Sequence, residues 1–268
     1  MFHVKPRIVA VANQKGGVGK TTTTISLGAT LAAYEQPTLL VDLDPQSNCT
    51  SGLGYRATAE QPCSYGVLMG SASALDAVVQ TEFPHLGLLP STPDLAGAEV
   101  ELVDHPQREF MLRAAIASLT ERFDFIILDC PPSLGLLTVN SLVAADTVLV
   151  PIQTEYYALE GLGHLLHTIS LIHEHLNPRL TIEGILLTMY DARTNLSGQV
   201  ADEVAEHFGE LVFETIIPRN VKLSEAPSFG QPIIAYDKSS RGSQSYQEFA
   251  REFLLRNQID PAEVAASA

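Results

Sequence analysis

The sequence predicts an α/β fold in which a doubly wound, mostly parallel sheet carries helices on both faces. Apolar runs of strand character alternate with amphipathic helical segments along the whole length, an order typical of parallel sheets. The first apolar run passes through a glycine-rich loop directly into a helix. No repeat, linker or composition break divides the 268 residues. We therefore expect one domain, with a core of about residues 7–256 and a short polar C-terminal tail.

Seven apolar runs are the predicted strands, and each has the length of an ordinary buried strand. They span residues 8–12, 38–41, 86–89, 125–128, 147–150, 182–187 and 212–217. The predicted helices are amphipathic segments at residues 21–34, 73–79, 108–120, 159–175, 199–208 and 243–255. Residues 45–85 are otherwise rich in small residues and are predicted to be irregular. Because helices connect most of the strands, the strands are expected to run parallel.

The loop after the first strand has the composition of a phosphate-binding loop, and it reads Lys15-Gly16-Gly17-Val18-Gly19-Lys20-Thr21-Thr22. Glycines lack a Cβ, so backbone N–H groups there can approach a phosphate closely. The following helix adds the partial positive charge of its N-terminus. A ligand-free strand-to-helix turn is the alternative for the glycines alone, but the Lys-Thr-Thr that follows them favours nucleotide binding.

Three side chains of this loop have separate predicted tasks. Lys20 can reach the β- and γ-phosphates of a nucleotide, and Thr21 can ligate Mg²⁺ through its hydroxyl. Thr22 can add a further contact to the phosphates. ATP and Mg²⁺ are therefore the predicted cofactors, and the whole segment 15–22 is the predicted cofactor-binding loop.

Three aspartates follow apolar strands at positions that are expected to meet at one edge of the sheet. Asp42 and Asp44 close the second predicted strand, and Asp129 closes the strand at residues 125–128. Ligands of open α/β sheets bind at the carboxyl ends of the strands. Asp129 in this position is typical of the acid that holds Mg²⁺. A turn cap is the alternative for any single aspartate, whereas three of them after a phosphate loop favour metal binding and catalysis.

Charge and cysteine content limit the partners and the compartment. The formal net charge of −15 opposes contact with a polyanion, but five cations of the last third of the chain could form a local basic patch. They are Arg193, Arg219, Lys222, Lys238 and Arg241. Three widely spaced cysteines suit a reducing compartment, and no apolar run has the length of a membrane helix. The N-terminus lacks the features of a signal peptide, so we expect a cytoplasmic protein.

The lysine that opens the loop carries a resemblance to a known family. The pattern Lys15-Gly-Gly-x-Gly-Lys20-Thr-Thr resembles the deviant Walker A family of P-loop NTPases, which includes ParA/Soj, MinD and the nitrogenase iron protein. In that family the first lysine reaches the phosphates of ATP bound to a partner, which implies a homodimer that forms on ATP binding. The resemblance also implies that Asp44 orients the attacking water and that Asp42 lies close to the magnesium shell. Lys15, Lys20 and Asp44 are thus the predicted catalytic residues.

Further segments resemble the ParA/Soj branch, and the likeness covers about residues 7–256. They are Asp44-Pro45-Gln46 with Asn48, Ser51-Gly52-Leu53-Gly54, and Ile217-Pro218-Arg219-Asn220 followed by Leu223-Ser224-Glu225-Ala226-Pro227-Ser228. The branch implies that Pro218 and Asn220 lie against the adenine. Ser47 is a departure, because many members have glycine after the Asp-Pro-Gln.

The same branch implies a function in DNA partitioning, that is, chromosome or plasmid segregation. Arg193 and Lys222 match positions that bind double-stranded DNA without sequence specificity, through salt-sensitive phosphate contacts. The alternative for these two residues is a pair of solvent-exposed cations. A centromere-binding protein of the ParB type is the implied partner, which would stimulate a slow, Mg-dependent ATP hydrolysis. Nucleoid association is the implied location.

Two other members of the family offer alternative functions. A MinD-like membrane switch for division-site placement needs a basic amphipathic C-terminal helix, whereas residues 259–268 are acidic and contain proline. An iron–sulfur reductase like the nitrogenase iron protein needs paired cysteine ligands at a dimer axis. Cys130 has no second cysteine at a suitable spacing. We therefore expect DNA partitioning with no membrane partner.

Overall fold

The computed structural model describes residues 6–58, 60–156 and 158–261. The strands of these ranges are β1 (Arg7–Val11), β2 (Thr38–Asp42), β3 (Val79–Gln80), β4 (Leu86–Leu89), β5 (Phe125–Asp129), β6 (Thr147–Gln153) and β7 (Thr181–Thr188). They form one sheet in the order β3-β4-β2-β5-β1-β6-β7. All neighbouring pairs are parallel except β3 with β4, so the predicted mostly parallel sheet is confirmed.

Helices cover both faces of the sheet, as the sequence predicts. The α-helices of the described residues are α1 (Lys20–Ala33), α2 (Asn48–Gly52), α3 (Ser64–Leu68), α4 (Ala74–Ala77), α5 (Leu95–Glu101), α6 (Met111–Ile116), α7 (Leu136–Ala144), α8 (Ala158–His175), α9 (Asn195–Phe208), α10 (Val221–Glu225), α11 (Ile233–Tyr236) and α12 (Arg241–Arg256). Helices α1, α11 and α12 pack on one face, and α3 to α9 pack on the other. Within the described ranges, no helix has the length and apolar content needed to cross a membrane.

Alternate residues of the central strands contribute to the cores on opposite faces. Val9 of β1 and Ile127 of β5 belong to the core beneath α1 and α12. Ala10 of β1 and Leu128 of β5 belong to the cores on the other face. Strands that are buried on both faces read as continuous apolar runs, which is why the sequence locates them.

The prediction of a strand at residues 212–217 is wrong. Within this segment only Val212 forms an isolated bridge to β7. The N–H groups of Glu214 and Thr215 instead donate to the two carboxylate oxygens of Glu252 on α12, each at 2.9 Å. The N–H groups of Phe213 and Ile217 still donate to carbonyls of β7, each at 2.9 Å. Because the side chain of Glu252 takes two of the N–H groups between them, these bonds do not continue as a strand ladder, and β7 is the last strand of the sheet.

Other differences concern short or fully buried helices. Residues 45–85 contain α2, α3 and α4, and the helix predicted at 73–79 is reduced to α4 followed by β3. The helix predicted at 108–120 begins at Met111 and continues into a 3₁₀ turn at Ala117–Glu121. Helix α7 is absent from the prediction because seven of its nine residues are buried, so it lacks a polar face. Part of the predicted polar tail, residues 262–268, lies outside the described residues.

Candidate nucleotide-binding site

The carboxyl ends of β1, β2 and β5 meet at an open cleft of about 440 Å³. The strand register brings these ends side by side, since Asp129 of β5 pairs with Val11 of β1 and with Asp42 of β2. Most of the predicted cofactor loop lines this cleft, namely Gly16, Gly17, Gly19, Lys20, Thr21 and Thr22. The parallel sheet thus collects, at one edge, residues that are distant in sequence.

The glycine loop turns its backbone toward the cleft. Gly17 and Gly19 have φ angles of 75° and 90°, which glycine adopts at little cost. A Cβ on Gly17 would meet nothing within 4 Å, so this part of the turn borders open space. Val18 between them is buried, and its carbonyl accepts a hydrogen bond from the Thr188 hydroxyl at 2.8 Å. The end of β7 therefore fixes the loop from behind.

Lys20 is a buried ammonium with unused donors. Its side chain begins α1, and the residue is 6% exposed. Its Nζ donates to the carbonyl oxygen of Lys15 at 3.1 Å, the one acceptor that the described residues provide for its three protons. Burial lowers the pKa of Lys20, and the nearby Asp129 carboxylate opposes that shift. An anion in the cleft would stabilise the charged form, which suits a phosphate ligand.

Thr21 and Asp129 form a set of oxygen donors that fits Mg²⁺. The Thr21 hydroxyl donates to Oδ2 of Asp129 at 2.8 Å, and the Thr24 hydroxyl donates to Oδ1 at 3.1 Å. Burial raises the pKa of Asp129, the neighbouring Asp42 carboxylate adds to the shift, and the two threonine hydrogen bonds oppose it. A divalent cation would favour the ionised carboxylate, and hydroxyl and carboxylate oxygens are ligands that Mg²⁺ prefers. The residues present therefore fit the predicted metal.

Asp42 and Asp44 contact different parts of the site. Asp42 is fully buried, and its Oδ2 accepts from the Thr50 N–H at 2.8 Å and from the Thr50 hydroxyl at 2.6 Å. Its Oδ1 accepts from the N–H of Asp44 at 3.1 Å. Burial raises the pKa of Asp42, and the contacts with Thr50 oppose the shift. Asp44 lines the cleft. Asp42 thus fixes the loop that carries Asp44. The predicted position of Asp42 close to the magnesium shell stays a prediction.

Ser47, the departure from the family pattern, lies beside this carboxylate loop. It has a φ of 55°, in the left-handed region that glycine enters more readily than serine. Its Oγ is buried and has no hydrogen-bond partner among the described residues. The backbone here therefore has a conformation that suits the glycine of the predicted family pattern.

The far end of the cleft is lined by residues other than the two predicted adenine contacts, whose role stays a prediction. Among the described residues, Pro218 and Asn220 do not line the cleft, whereas Met189 and Pro227 do. Asn220 caps α10, since its Oδ1 accepts from the N–H of Lys222 at 2.9 Å. Met189 follows β7 with a φ of 52°, which is rare for a long side chain. No local sequence signal reveals Met189, because its position depends on how the chain leaves the sheet.

Each predicted DNA-binding cation is paired with a carboxylate of its own chain. Arg193 donates from Nε and Nη2 to the two oxygens of Asp191, at 2.9 and 2.7 Å, which holds the pKa of Asp191 well below its ordinary value. Lys222 donates to Glu225 at 2.8 Å and lies 5.6 Å from the ring centre of Tyr236. The Arg193 side chain is nevertheless 84% exposed and that of Lys222 45% exposed. Both can meet an external anion.

Fold and site together define a class of protein. A glycine-rich loop joins a parallel strand to a helix, Lys20 and Thr21 line one cleft at the strand ends, and Asp129 accepts the Thr21 hydroxyl from beneath that cleft. This arrangement is that of a P-loop NTPase.

Comparisons with known proteins identify the family within that class. A family model described as an AAA domain matches residues 6–182. The chromosome partitioning protein ParA of Myxococcus xanthus is 55% identical over 251 residues, which cover 94% of this chain and 89% of the relative. The sporulation initiation inhibitor protein Soj of Bacillus subtilis is 53% identical over 246 residues, covering 92% and 97%. The chain belongs to the ParA/Soj family of chromosome-partitioning ATPases.

Solved structures share the fold and include nucleotide complexes. A structure named cobyrinic acid a,c-diamide synthase, from Mycobacterium smegmatis with a bound ATP analogue and magnesium, is 42% identical with a TM-score of 0.82. The match covers 94% of this chain and 96% of that chain. The septum site-determining protein MinD of Pyrococcus horikoshii, in complex with Mg-ADP, is 27% identical with a TM-score of 0.76, covering 92% and 95%. Nucleotide and Mg²⁺ binding therefore occur in this fold family.

Proposed function

We propose that this protein is an ATP-switched DNA-partitioning ATPase that acts as one domain over about residues 7–256. ATP binding drives a sandwich homodimer, the dimer binds double-stranded DNA without sequence specificity, and hydrolysis resets it. The separation of the two loop lysines carries the proposal. Lys20 lies in the cleft, whereas Lys15 does not line it and keeps 40% of its side chain exposed. A partly exposed lysine outside the cleft of its own protomer can reach the nucleotide of a second protomer once it leaves its own ion pair.

Hydrolysis in this cleft would depend on positioning and charge neutralisation. Lys20 would bind the β- and γ-phosphates, and Thr21 with Asp129 would hold Mg²⁺, which supplies charge neutralisation when bound. Asp44 would orient the water that attacks the γ-phosphorus while the bond to the bridging oxygen breaks. No arginine lines the cleft in the described part of the chain. We therefore expect slow hydrolysis that a ParB-like, centromere-binding partner accelerates.

The DNA contact would be electrostatic and local. The net charge of −15 repels DNA as a whole, so binding requires a patch in which cations predominate. Arg193 and Lys222 are the proposed members of that patch, and each must exchange its carboxylate partner for a DNA phosphate. Such exchange makes binding weak per contact and sensitive to salt. A cytoplasmic, nucleoid-associated protein would result, with a chromosome or a plasmid as cargo.

A MinD-like membrane role is the alternative, and the last described helix disfavours it. The apolar side of α12 is already buried in the core, where Phe253 packs on Phe125 with ring centres 5.7 Å apart. An apolar face that is buried cannot also insert into lipid. The relative at 55% identity is named as a chromosome partitioning protein, whereas the structure named as a synthase is 42% identical, so the former guides the function.

Retention on DNA at two salt concentrations, with ATP, ADP or no nucleotide, tests the proposal. We expect retention with ATP alone, and we expect it to fall at the higher salt concentration. Sedimentation under the same conditions should give a dimer with ATP and Mg²⁺. Anionic lipid vesicles form a parallel arm. Vesicle binding without DNA binding would favour the membrane alternative, and a monomer with bound ATP would contradict the switch.

A further inference from the structure

Lys15 is held by a carboxylate of its own protomer. Its Nζ lies 2.8 Å from Oε2 of Glu155, and the two side chains are 40% and 48% exposed. The other oxygen of Glu155 accepts a hydrogen bond from the side-chain amide of Gln153. Glu155 is not part of the motif that predicts the phosphate loop, and the sequence gives no local sign of this contact, because 140 positions separate the two residues.

Neighbouring strands bring the two side chains together. Lys15 follows β1 and Glu155 follows β6, and these strands are adjacent and parallel. Asn13 connects the two strand ends: its amide nitrogen donates to the carbonyl of Pro151 at 2.8 Å, and its Oδ1 accepts from the N–H of Lys15 at 2.9 Å. The N–H of Glu155 donates to the carbonyl of Gln153 at 2.8 Å. Both backbones are therefore fixed, and the ion pair lies on a defined scaffold.

We infer that Glu155 is a positioning residue that retains Lys15 in the free protomer and thereby restrains dimerisation. The inference rests on the proposed function, because it concerns the regulation of the same lysine. While the Lys15 ammonium contacts Glu155 of its own chain, it cannot contact the phosphates bound to another protomer. The contact must break before Lys15 can cross an interface, so each dimer that forms costs two of these ion pairs.

The size of the restraint follows from the exposure of the pair. Exposed ion pairs contribute little, and loss of two such pairs per dimer corresponds to a change of about two- to thirty-fold in the dissociation constant. A triphosphate carries more negative charge than one carboxylate, so ATP can still displace Glu155. The restraint thus opposes dimers that lack a triphosphate and sets a threshold for those that have one.

Glu155→Gln tests the restraint, because it removes the charge and keeps an amide of the same shape. Sedimentation with ATP and Mg²⁺ should give a dimer dissociation constant about two- to thirty-fold lower than for the unmodified protein. Glu109→Gln is the matched control. It removes a carboxylate from another ion pair of 2.8 Å, with Arg108, away from the cleft, and should leave the constant unchanged.

A second measurement reads Lys15 directly. Acetylation of nucleotide-free protein with an amine-reactive reagent, followed by peptide mass spectrometry, reports the accessibility of each lysine amine. Glu155→Gln should accelerate acetylation of Lys15 relative to Lys222 of the same molecule, and Glu109→Gln should not.

The outcomes separate this inference from the proposed function. Suppose that the unmodified protein dimerises with ATP and that the Lys15→Ala variant does not. If Glu155→Gln then changes neither the dissociation constant of the dimer nor the acetylation of Lys15, only the restraint is overturned. Faster acetylation without tighter dimers would also overturn it, because Glu155 would then hold Lys15 without consequence. If the unmodified protein stays monomeric with ATP and Mg²⁺, the proposed switch fails and the restraint fails with it.

Discussion

Two regions of the molecule hold their charged groups in opposite ways. The nucleotide edge, which we define as residues 16–24, 42–50 and 129–132, buries its charges: Lys20, Asp42 and Asp129 are each less than 9% exposed. The cation segment, residues 190–241, keeps its charges at the surface. Buried groups need exact partners, since an unsatisfied charge away from water is costly, whereas surface charges exchange partners cheaply. The first arrangement suits chemistry on a fixed ligand, and the second suits reversible contact with a polyanion.

The regions also differ in the sequence distance that their contacts span. Thr21 contacts Asp129 across 108 positions, so the nucleotide edge exists only when the sheet has formed. In the cation segment, Asp191 pairs with Arg193 two positions away, and Lys222 pairs with Glu225 three positions away. Substitutions at the nucleotide edge should therefore abolish a function, and those in the cation segment should reduce one gradually.

Among substitutions at the nucleotide edge, Lys20→Ala should have the largest effect on ATP binding. It removes the buried ammonium that faces the cleft, and charge-assisted contacts to phosphate of this kind account for a loss of about 100-fold or more in ATP affinity. Calorimetric titration with ATP and Mg²⁺ measures the effect. Lys15→Ala is the control, because its side chain does not line the cleft and ATP affinity should be retained. ATP affinity within a few-fold of normal in the Lys20 variant would contradict the assignment of the loop.

Asp44→Ala should separate binding from turnover at the same edge. Because Asp44 lies on the cleft wall and Asp42 fixes its loop, ATP binding and dimerisation should persist while phosphate release slows by about 100-fold. Asp44→Asn sharpens the test, since it retains an acceptor for the N–H of Gln46, which Oδ1 accepts at 2.9 Å. Equal loss in both variants would assign the effect to the carboxylate charge. Normal phosphate release in either would remove Asp44 from catalysis.

The same contrast explains how far the sequence alone predicts the structure. The central strands and the phosphate loop are recognisable because their burial and their backbone requirements act on consecutive residues, as in the apolar run of β5 and the glycines before Lys20. Thr24, which donates to Asp129, lies three positions after Thr21 on α1, so helical periodicity could have revealed it. Glu155 and Met189 could not be found this way, since their positions depend on adjacent strand ends. The segment at 212–217 has strand composition, but a carboxylate from α12, which is distant in sequence, takes two of its N–H donors.

The double variant Arg193→Ala with Lys222→Ala tests the gradual character of the cation segment. DNA affinity should fall about 10-fold at moderate salt, and the slope of log affinity against log salt should decrease by roughly one for each lost phosphate contact. ATP affinity should not change. Anisotropy with labelled duplex DNA over a salt series measures both quantities. An unchanged DNA-binding isotherm would mean that other cations form the patch. Weaker binding with an unchanged salt slope would indicate lost protein structure rather than lost phosphate contacts.

Glu252→Gln tests why residues 212–217 are not a strand, and its effect should be the smallest. Glu252 accepts the N–H groups of Glu214 and Thr215 and pairs with Arg256 at 2.8 Å, and a glutamine can accept only one of the two N–H groups. Unfolding free energy should fall by about 1–2 kcal/mol, as expected for one lost charged hydrogen bond in a partly buried site. Glu248→Gln is the control on the exposed side of α12 and should change stability by less than about 0.5 kcal/mol. Equal stability of the two variants in urea titrations would mean that the contacts of Glu252 do not stabilise the conformation of this segment.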